Sequence, residues 1–247
     1  MKIVFLSRYQ NESRRGVETF AEELAKRLSL RHSVDIFSGN HSDSFSKVYS
    51  FKPDIVIPLN GRWQALKMSL GRILGGYKLL IGGHSGIGKD DIWNILLCRP
   101  DVFVALTGKA YSWAKKFAFG IKLKKIPNGI DLEKFKPAGE KFKIDLPGKI
   151  VLSVGALVWY KYHDRVVEAL SKLDGTSLLI VGKGEEEVRI RQLAEKKLKC
   201  RYKIISVSYE DMPKIYRAAQ VFTLPSWDRE AFGIVYLEAL ASGLPGV

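Results

Sequence analysis

The chain has 247 residues, 46% of them hydrophobic, which is room for one large or two smaller α/β domains with a real core. No apolar run approaches bilayer-spanning length. Two distant cysteines, Cys98 and Cys200, exclude a disulfide framework and a cysteine metal site, so a reducing, cytoplasmic setting is expected. The net charge of +14 is uneven: residues 1–137 carry 23 Lys and Arg against 12 Asp and Glu, and residues 138–247 carry 17 against 14, so +11 falls in the first part and points to an anionic partner there.

The opening run KIVFLS reads as a buried parallel strand, preceded by too few apolar residues for a signal peptide. A basic loop from Arg8 to Gly16 follows. VETFAEELAKRLSL then places Val17, Phe20, Ala21, Leu24, Ala25 and Leu28 on one helical face. Short strands recur at SVDIFS, DIVIPL, KLLIGG and DVFVAL with helical stretches between several of them, the alternation of a parallel sheet covered by helices. In GRWQALKMSLGRIL, Trp63, Leu66, Leu70, Ile73 and Leu74 share a face, with Arg62, Lys67 and Arg72 elsewhere. An inner helix packed on the sheet is the commoner arrangement; the alternative is a basic amphipathic helix lying on an anionic membrane, which the lysines of YSWAKKFAFGIKLKK strengthen somewhat. KLLIGGHSGIGKD fits a phosphate-binding loop at Gly83, Gly88 and Lys89 but has Asp90 where a magnesium-binding Ser or Thr is required. His84, just past the strand end, stands where open α/β sheets gather ligands.

Residues 133–149, EKFKPAGEKFKIDLPGK, read as a break, which divides the chain into a first domain 1–137, a linker 138–149 and a second domain 150–247. Strand and helix then alternate again. LSVGALVWYKYHD puts Gly155 at a strand end and Lys161 six residues later, a plausible diphosphate contact. In LLIVGKGEEE, Gly182, Lys183 and Gly184 form a strand–helix turn with a weak phosphate signal. The run PSWDREAFGIVYLEALASGLP carries Glu230 and Glu238 in apolar surroundings. A helix apolar all round is expected to be buried, and a carboxylate on it needs a partner: a ligand, or a Lys or Arg elsewhere in the fold. Gly233 lets a ligand approach the backbone, and the helix start behind it suits a phosphate. The chain stops at GLPGV, where another strand is expected, so the second sheet looks unfinished and the chain truncated.

Taken together these residues resemble the retaining glycosyltransferases of the GT-B fold, most of all the large family 4 (glycosyl transferases group 1). PSWDREAFGIVYLEALASGLP is similar to the family's paired-glutamate box, IPNGIDLEKFKP to the end of its first domain, and VGALVWYK and IVGKGEE to early turns of its donor domain. GVETFAEELAKRL resembles its first helix and GGHSGIG its histidine loop. The resemblance implies two Rossmann-like domains with parallel sheets and transfer of a hexose, with retention of configuration, from a nucleotide diphosphosugar to a lipid-linked or envelope glycan. By position, Glu238 would hold the ribose hydroxyls and Glu230 the donor sugar, the backbone of Ala231, Phe232, Gly233 and Ile234 would lie against sugar and diphosphate, Lys161 would neutralise the leaving diphosphate, and His84 would approach the sugar. Arg15 and Gly16, where the family has two glycines, would face the acceptor. Ala156 replaces a usual Arg, leaving Lys183 or Arg229 to supply that cation. No metal and no cofactor are implied, helix N–H groups and Lys taking the metal's part. The implied partners are the donor, the acceptor and an anionic membrane surface on the cytosolic side, without nucleic acid. Two other readings stand beside this one: a phosphotransferase or ATPase built on the Gly83–Lys89 loop, and an inactive fragment that binds nucleotide sugar.

Overall fold

A computed structural model describes residues 1–10, 16–84, 86–226 and 230–247. The chain divides into two compact units, the first built on Met1–Asn128 and the second on the chain from Gly129 onward, a few residues just before Gly233 excepted.

The first unit contains strands β1 (Lys2–Ser7), β2 (Ser33–Ser38), β3 (Ile55–Pro58), β4 (Lys78–Gly82), β5 (Val102–Ala105) and β6 (Lys122–Lys125). Its helices are α1 (Gly16–Leu28), α2 (Phe45–Phe51), α3 (Arg62–Gly75), α4 (Lys89–Leu96) and α5 (Gly108–Ala114). The strands form one parallel sheet in the order β2-β1-β3-β4-β5-β6. Side chains alternate along β1, so Val4 and Leu6 enter the core under α3 while Ile3 and Phe5 enter the core under α1. That double burial is why the strand reads as a continuous apolar run.

The second unit repeats the plan with β7 (Lys149–Val154), β8 (Thr176–Val181), β9 (Tyr202–Ile205) and β10 (Val221–Phe222) in the parallel order β10-β7-β8-β9. Helices α6 (His163–Leu170) and α7 (Glu187–Leu198) cover one face, where Leu178 and Ile180 meet Val167 and Ile190. Helices α8 (Met212–Ala218) and α9 (Ile234–Ala241) cover the other, where Leu152 and Leu179 share a core with Tyr216 and Ala239. Beyond α9 the chain returns to the sheet: Gly246 bridges Phe222 in parallel, through Phe222 N–H to Pro245 C=O at 2.8 Å and Val247 N–H to Phe222 C=O at 3.0 Å.

Three details differ from the sequence reading. The division falls after Asn128, ahead of the stretch read as a linker. Asp131 turns the chain by accepting from Glu133 N–H and Lys134 N–H, and Phe135, 1% exposed, then seats in the second core. KLKK is the edge strand β6, its exposed lysines guarding the sheet against further pairing. Helix α3 turns Gln64, Ala65, Met68, Ser69 and Gly71 inward and leaves Trp63, Leu70, Ile73 and Leu74 in water, so the stripe of large apolar residues is not its core face.

Candidate functional site

From β7 the second unit winds outward through β8 and β9, then returns to the far side of β7 as β10. The turns leaving the carboxyl ends of β7 and β10 therefore diverge, which opens the crevice where parallel α/β sheets bind their ligands. The residues expected to hold the diphosphate leave these strand ends: Gly155 and Lys161 after β7, and Gly233 and Ile234 on the way from β10 into α9.

Helix α9 begins behind Gly233, whose left-handed backbone (φ 72°, ψ 57°) only glycine adopts without strain. Gly233 offers no side chain to cap this end, which leaves the amino-terminal N–H groups and the positive end of the helix dipole suited to an anion. Lys161, half-buried, closes a short 3-10 turn, Trp159–Lys161, ahead of α6. Tyr162, the residue between, is also left-handed (φ 52°, ψ 35°), with the Arg165 guanidinium 4.0 Å over its ring. Beneath the turn lies His163, 1% exposed, with Nδ1 3.0 Å from Ser153 Oγ. Burial lowers its pKa to about 4, so the ring is neutral at physiological pH.

The glycines after β8 do something other than cradle a phosphate. A Cβ on Gly182 would lie 1.9 Å from the carbonyl oxygen of Gly155, and one on Gly184 would lie 2.2 Å from that of Leu157. Both positions are thus glycine because this turn packs backbone-to-backbone on the turn after β7. Leu157 N–H donates to Lys183 C=O at 2.9 Å, and Glu186 N–H donates to Leu157 C=O at 2.9 Å. Lys183 itself is exposed.

Glu238 is 3% exposed on the inner side of α9, and among the described residues no Lys or Arg forms a salt bridge with it. Its Oε2 accepts from the Tyr216 hydroxyl at 2.7 Å and its Oε1 from the Tyr209 hydroxyl at 3.2 Å. Burial raises its pKa to about 7, against the lowering effect of the two phenols and of Lys134. Lys134 stands 3.9 Å over the Tyr209 ring and pairs with Glu210. An ionised carboxylate has about four acceptor sites, so two remain beyond the tyrosines. Nothing in the sequence pattern reveals that Tyr216, on α8, holds a carboxylate. Burial of the helix is less complete than its composition implies: Glu238 and Ala239 are buried, whereas Leu240 is exposed and the other residues are half-buried. Glu230 is exposed, Ala231 and Phe232 are half-buried, and Arg229 lies outside the described residues.

In the first unit, His84 follows β4 with its ring 4.6 Å from that of Phe20 on α1. A Cβ on Gly82 would lie 2.8 Å from this imidazole, so the strand ends in glycine to seat the ring. Burial lowers the pKa of His84 to about 4, leaving a neutral ring with one donor and one acceptor. Gly16 opens α1 with nothing near its Cβ position, and Arg15 lies outside the described residues. The loop read as a phosphate-binding motif leads into α4, whose first turn holds Asp90 and Asp91. Asp90 pairs with Arg62 at 2.9 Å, and Asp91 is buried with a pKa raised to about 7. Two carboxyls at that helix start oppose a bound phosphate.

Residues 136–247 match the family model described as glycosyl transferases group 1. The chain is 35% identical over 152 residues to mannosylfructose-phosphate synthase of Agrobacterium fabrum, covering 52% of this chain and 33% of that protein. It is 31% identical over 150 residues to the GDP-mannose-dependent monoacylated alpha-(1-6)-phosphatidylinositol monomannoside mannosyltransferase of Corynebacterium glutamicum, covering 53% of this chain and 39% of that protein. The chain thus spans well under half the length of these relatives. Its fold matches sucrose-phosphate synthase of Thermosynechococcus elongatus with a TM-score of 0.83 at 18% identity, over 100% of this chain and 80% of that one. The architecture is that of the GT-B glycosyltransferases, and the sequence likeness to glycosyl transferases group 1 runs through the second unit, where the switch-point crevice lies.

Proposed function

We propose that the chain belongs to a retaining hexosyltransferase that moves a sugar from a nucleotide diphosphosugar to a glycan or lipid-linked acceptor without a metal. The observation that carries this reading is that the adjacent strands β7 and β10 lead from their carboxyl ends into the Lys161 turn and into a helix that starts behind a left-handed glycine. In this reading the diphosphate lies at the start of α9. Its growing charge on departure is met by N–H groups and Lys161, which need no reorganisation as the bond breaks. Glu238, oriented by Tyr209 and Tyr216, offers its remaining acceptor sites to the ribose hydroxyls. Glu230 takes the sugar hydroxyls, the backbone of Ala231 and Phe232 lies along the sugar, and Lys183 supplies outer positive charge. The assignment of His84 to the transferring sugar, and of Arg15 and Gly16 to the acceptor, rests on the resemblance alone. The named donor of the mannosyltransferase relative, GDP-mannose, supports a nucleotide-sugar donor.

The test is a thermal-shift panel of nucleoside diphosphates and their sugars in EDTA, followed by transfer assays. One base is expected to raise the melting temperature, since a ligand of the folded state stabilises by mass action. Glu230→Ala is expected to cripple transfer with nucleotide binding retained, and Glu238→Ala to weaken nucleotide binding itself. Wild-type behaviour in both variants would reject the site.

A further inference from the structure

Helix α6 buries an imidazole where an apolar side chain would serve the core. Its buried residues His163, Val166, Val167 and Leu170 fall at i, i+3, i+4 and i+7, one face of the helix. The last three join the core that α6 shares with β8 and α7. His163 instead turns to the end of β7. Its Nδ1 is 3.0 Å from the buried Ser153 hydroxyl, and its Nε2 has no hydrogen-bond partner among the described residues. A buried polar atom left in this way costs stability, and a hydrocarbon side chain of similar size would not incur that cost. Burial alone therefore does not account for the Ser153–His163 pair.

The ring lies between two diverging segments. The Cβ position of Gly155, just after β7, is 3.6 Å from His163 Nε2 and 3.7 Å from Leu224, just after β10. The imidazole thus fills the gap where the chain parts from the two strand ends. Above it the turn is closed on itself, with Val158 N–H donating to Ala156 C=O at 2.9 Å and Lys161 N–H to Val158 C=O at 3.1 Å. Left-handed Tyr162 then reverses the chain into α6, a conformation that a residue other than glycine keeps where its neighbours hold it. Burial keeps the ring uncharged, and the Lys161 ammonium adds to this. The Ala156 backbone and Asp164 act the other way, and Asp164 is paired with Arg189 at 3.2 Å. An uncharged ring supports the lysine turn without competing with it for an anion.

We propose that His163, braced by Ser153, is a positioning residue that sets the Gly155–Lys161 turn so that the Lys161 ammonium reaches the diphosphate. The inference rests on the reading of a diphosphate beside this turn, and it adds a residue that itself touches no ligand.

Dissociation constants of UDP and GDP, and of uridine and guanosine, test it in the whole chain, with calorimetry for the diphosphates and ligand-observed NMR for the nucleosides. His163→Leu is expected to weaken whichever diphosphate binds by on the order of tenfold, the scale of one hydrogen bond to a charged group, and to leave the matching nucleoside within about twofold. Lys161→Ala is expected to weaken the same diphosphate, and adding His163→Leu to it costs little more, because one residue acts through the other. Ser153→Ala keeps the ring and removes only its brace, so a smaller loss of about threefold, again confined to the diphosphate, is expected even if the leucine variant folds poorly. Wild-type diphosphate affinity in either variant, equal losses for nucleoside and diphosphate, or losses that add in the double variant would each overturn the inference alone. Failure of the unaltered chain to bind either diphosphate would reject the diphosphate reading itself, and this inference with it.

Discussion

A methyl group at Gly182 would sit 1.9 Å from a backbone oxygen that cannot move aside without taking β7 with it. Gly155, by contrast, has His163 Nε2 at 3.6 Å and Leu224 at 3.7 Å from its Cβ position, ordinary van der Waals separations. Gly182→Ala and Gly184→Ala are therefore expected to lower stability by about 1–3 kcal/mol or more in denaturant titrations, while Gly155→Ala changes it little. A sequence does not separate these cases. Close approach by a ligand and close approach by another stretch of backbone both require the missing Cβ, which is why the glycines after β8 read as phosphate contacts. Glu238 was legible as a buried carboxylate needing a partner, because its neighbours are apolar. Its partners were not, because a tyrosine hydroxyl leaves no mark in a hydrophobic pattern.

At the scale of elements, nine of the ten strands among the described residues follow from apolar runs bounded by turn residues. The exception, β6, is a lysine-rich edge strand whose pairing with β5 alone makes it a strand. Helix α3 was legible as a helix but not for its orientation. Its inward face is small: Gly71 lies where a Cβ would be 2.5 Å from the Phe45 ring and 2.8 Å from the Tyr77 hydroxyl, and Gly75 faces Tyr49 and Tyr77 as closely. The aromatic rings contributed by α2 and β4's approach replace the bulk that the helix itself lacks, so large residues on α3 are left to the outside. Gly71→Ala tests this. A solvent-facing helical glycine gains about 1 kcal/mol from alanine. Here overpacking by about 1–3 kcal/mol is expected to reverse the sign, seen as a lower melting temperature. An increase would mean that the rings yield and that α3 is held less tightly.

For the whole molecule, two carboxyls and two imidazoles with shifted pKa values set opposing responses to pH. Burial raises Glu238 and Asp91 to about 7 and lowers His84 and His163 to about 4. Between the ordinary carboxylate range and about 7 the folded acids hold more protons than the unfolded ones, so their contribution to stability falls as pH rises. Between about 4 and 6.5 the folded imidazoles hold fewer protons than the unfolded ones, so theirs rises with pH. The two pairs offset one another across much of that window. Replacing the acids in Glu238→Gln with Asp91→Asn is expected to expose the histidine term, giving urea midpoints that climb from pH 4 to 6.5 more steeply than in the unaltered chain. Identical profiles would mean that these carboxyls ionise normally in the fold. The division into two α/β units was plain from the repeated alternation of strands and helices. The place of Phe135 was not, since a single aromatic in a charged, proline-containing stretch does not announce which core it enters.

The backbone seam between the turns after β7 and β8 has a practical corollary. Because peptide presses on peptide there, the two loops form a single stiff bracket, and neither can be reshaped alone. Anyone wishing to retune what this crevice accepts would do better to leave the bracket untouched and vary the chain around Tyr209 and the side chains of α9, where the wall is made of replaceable groups.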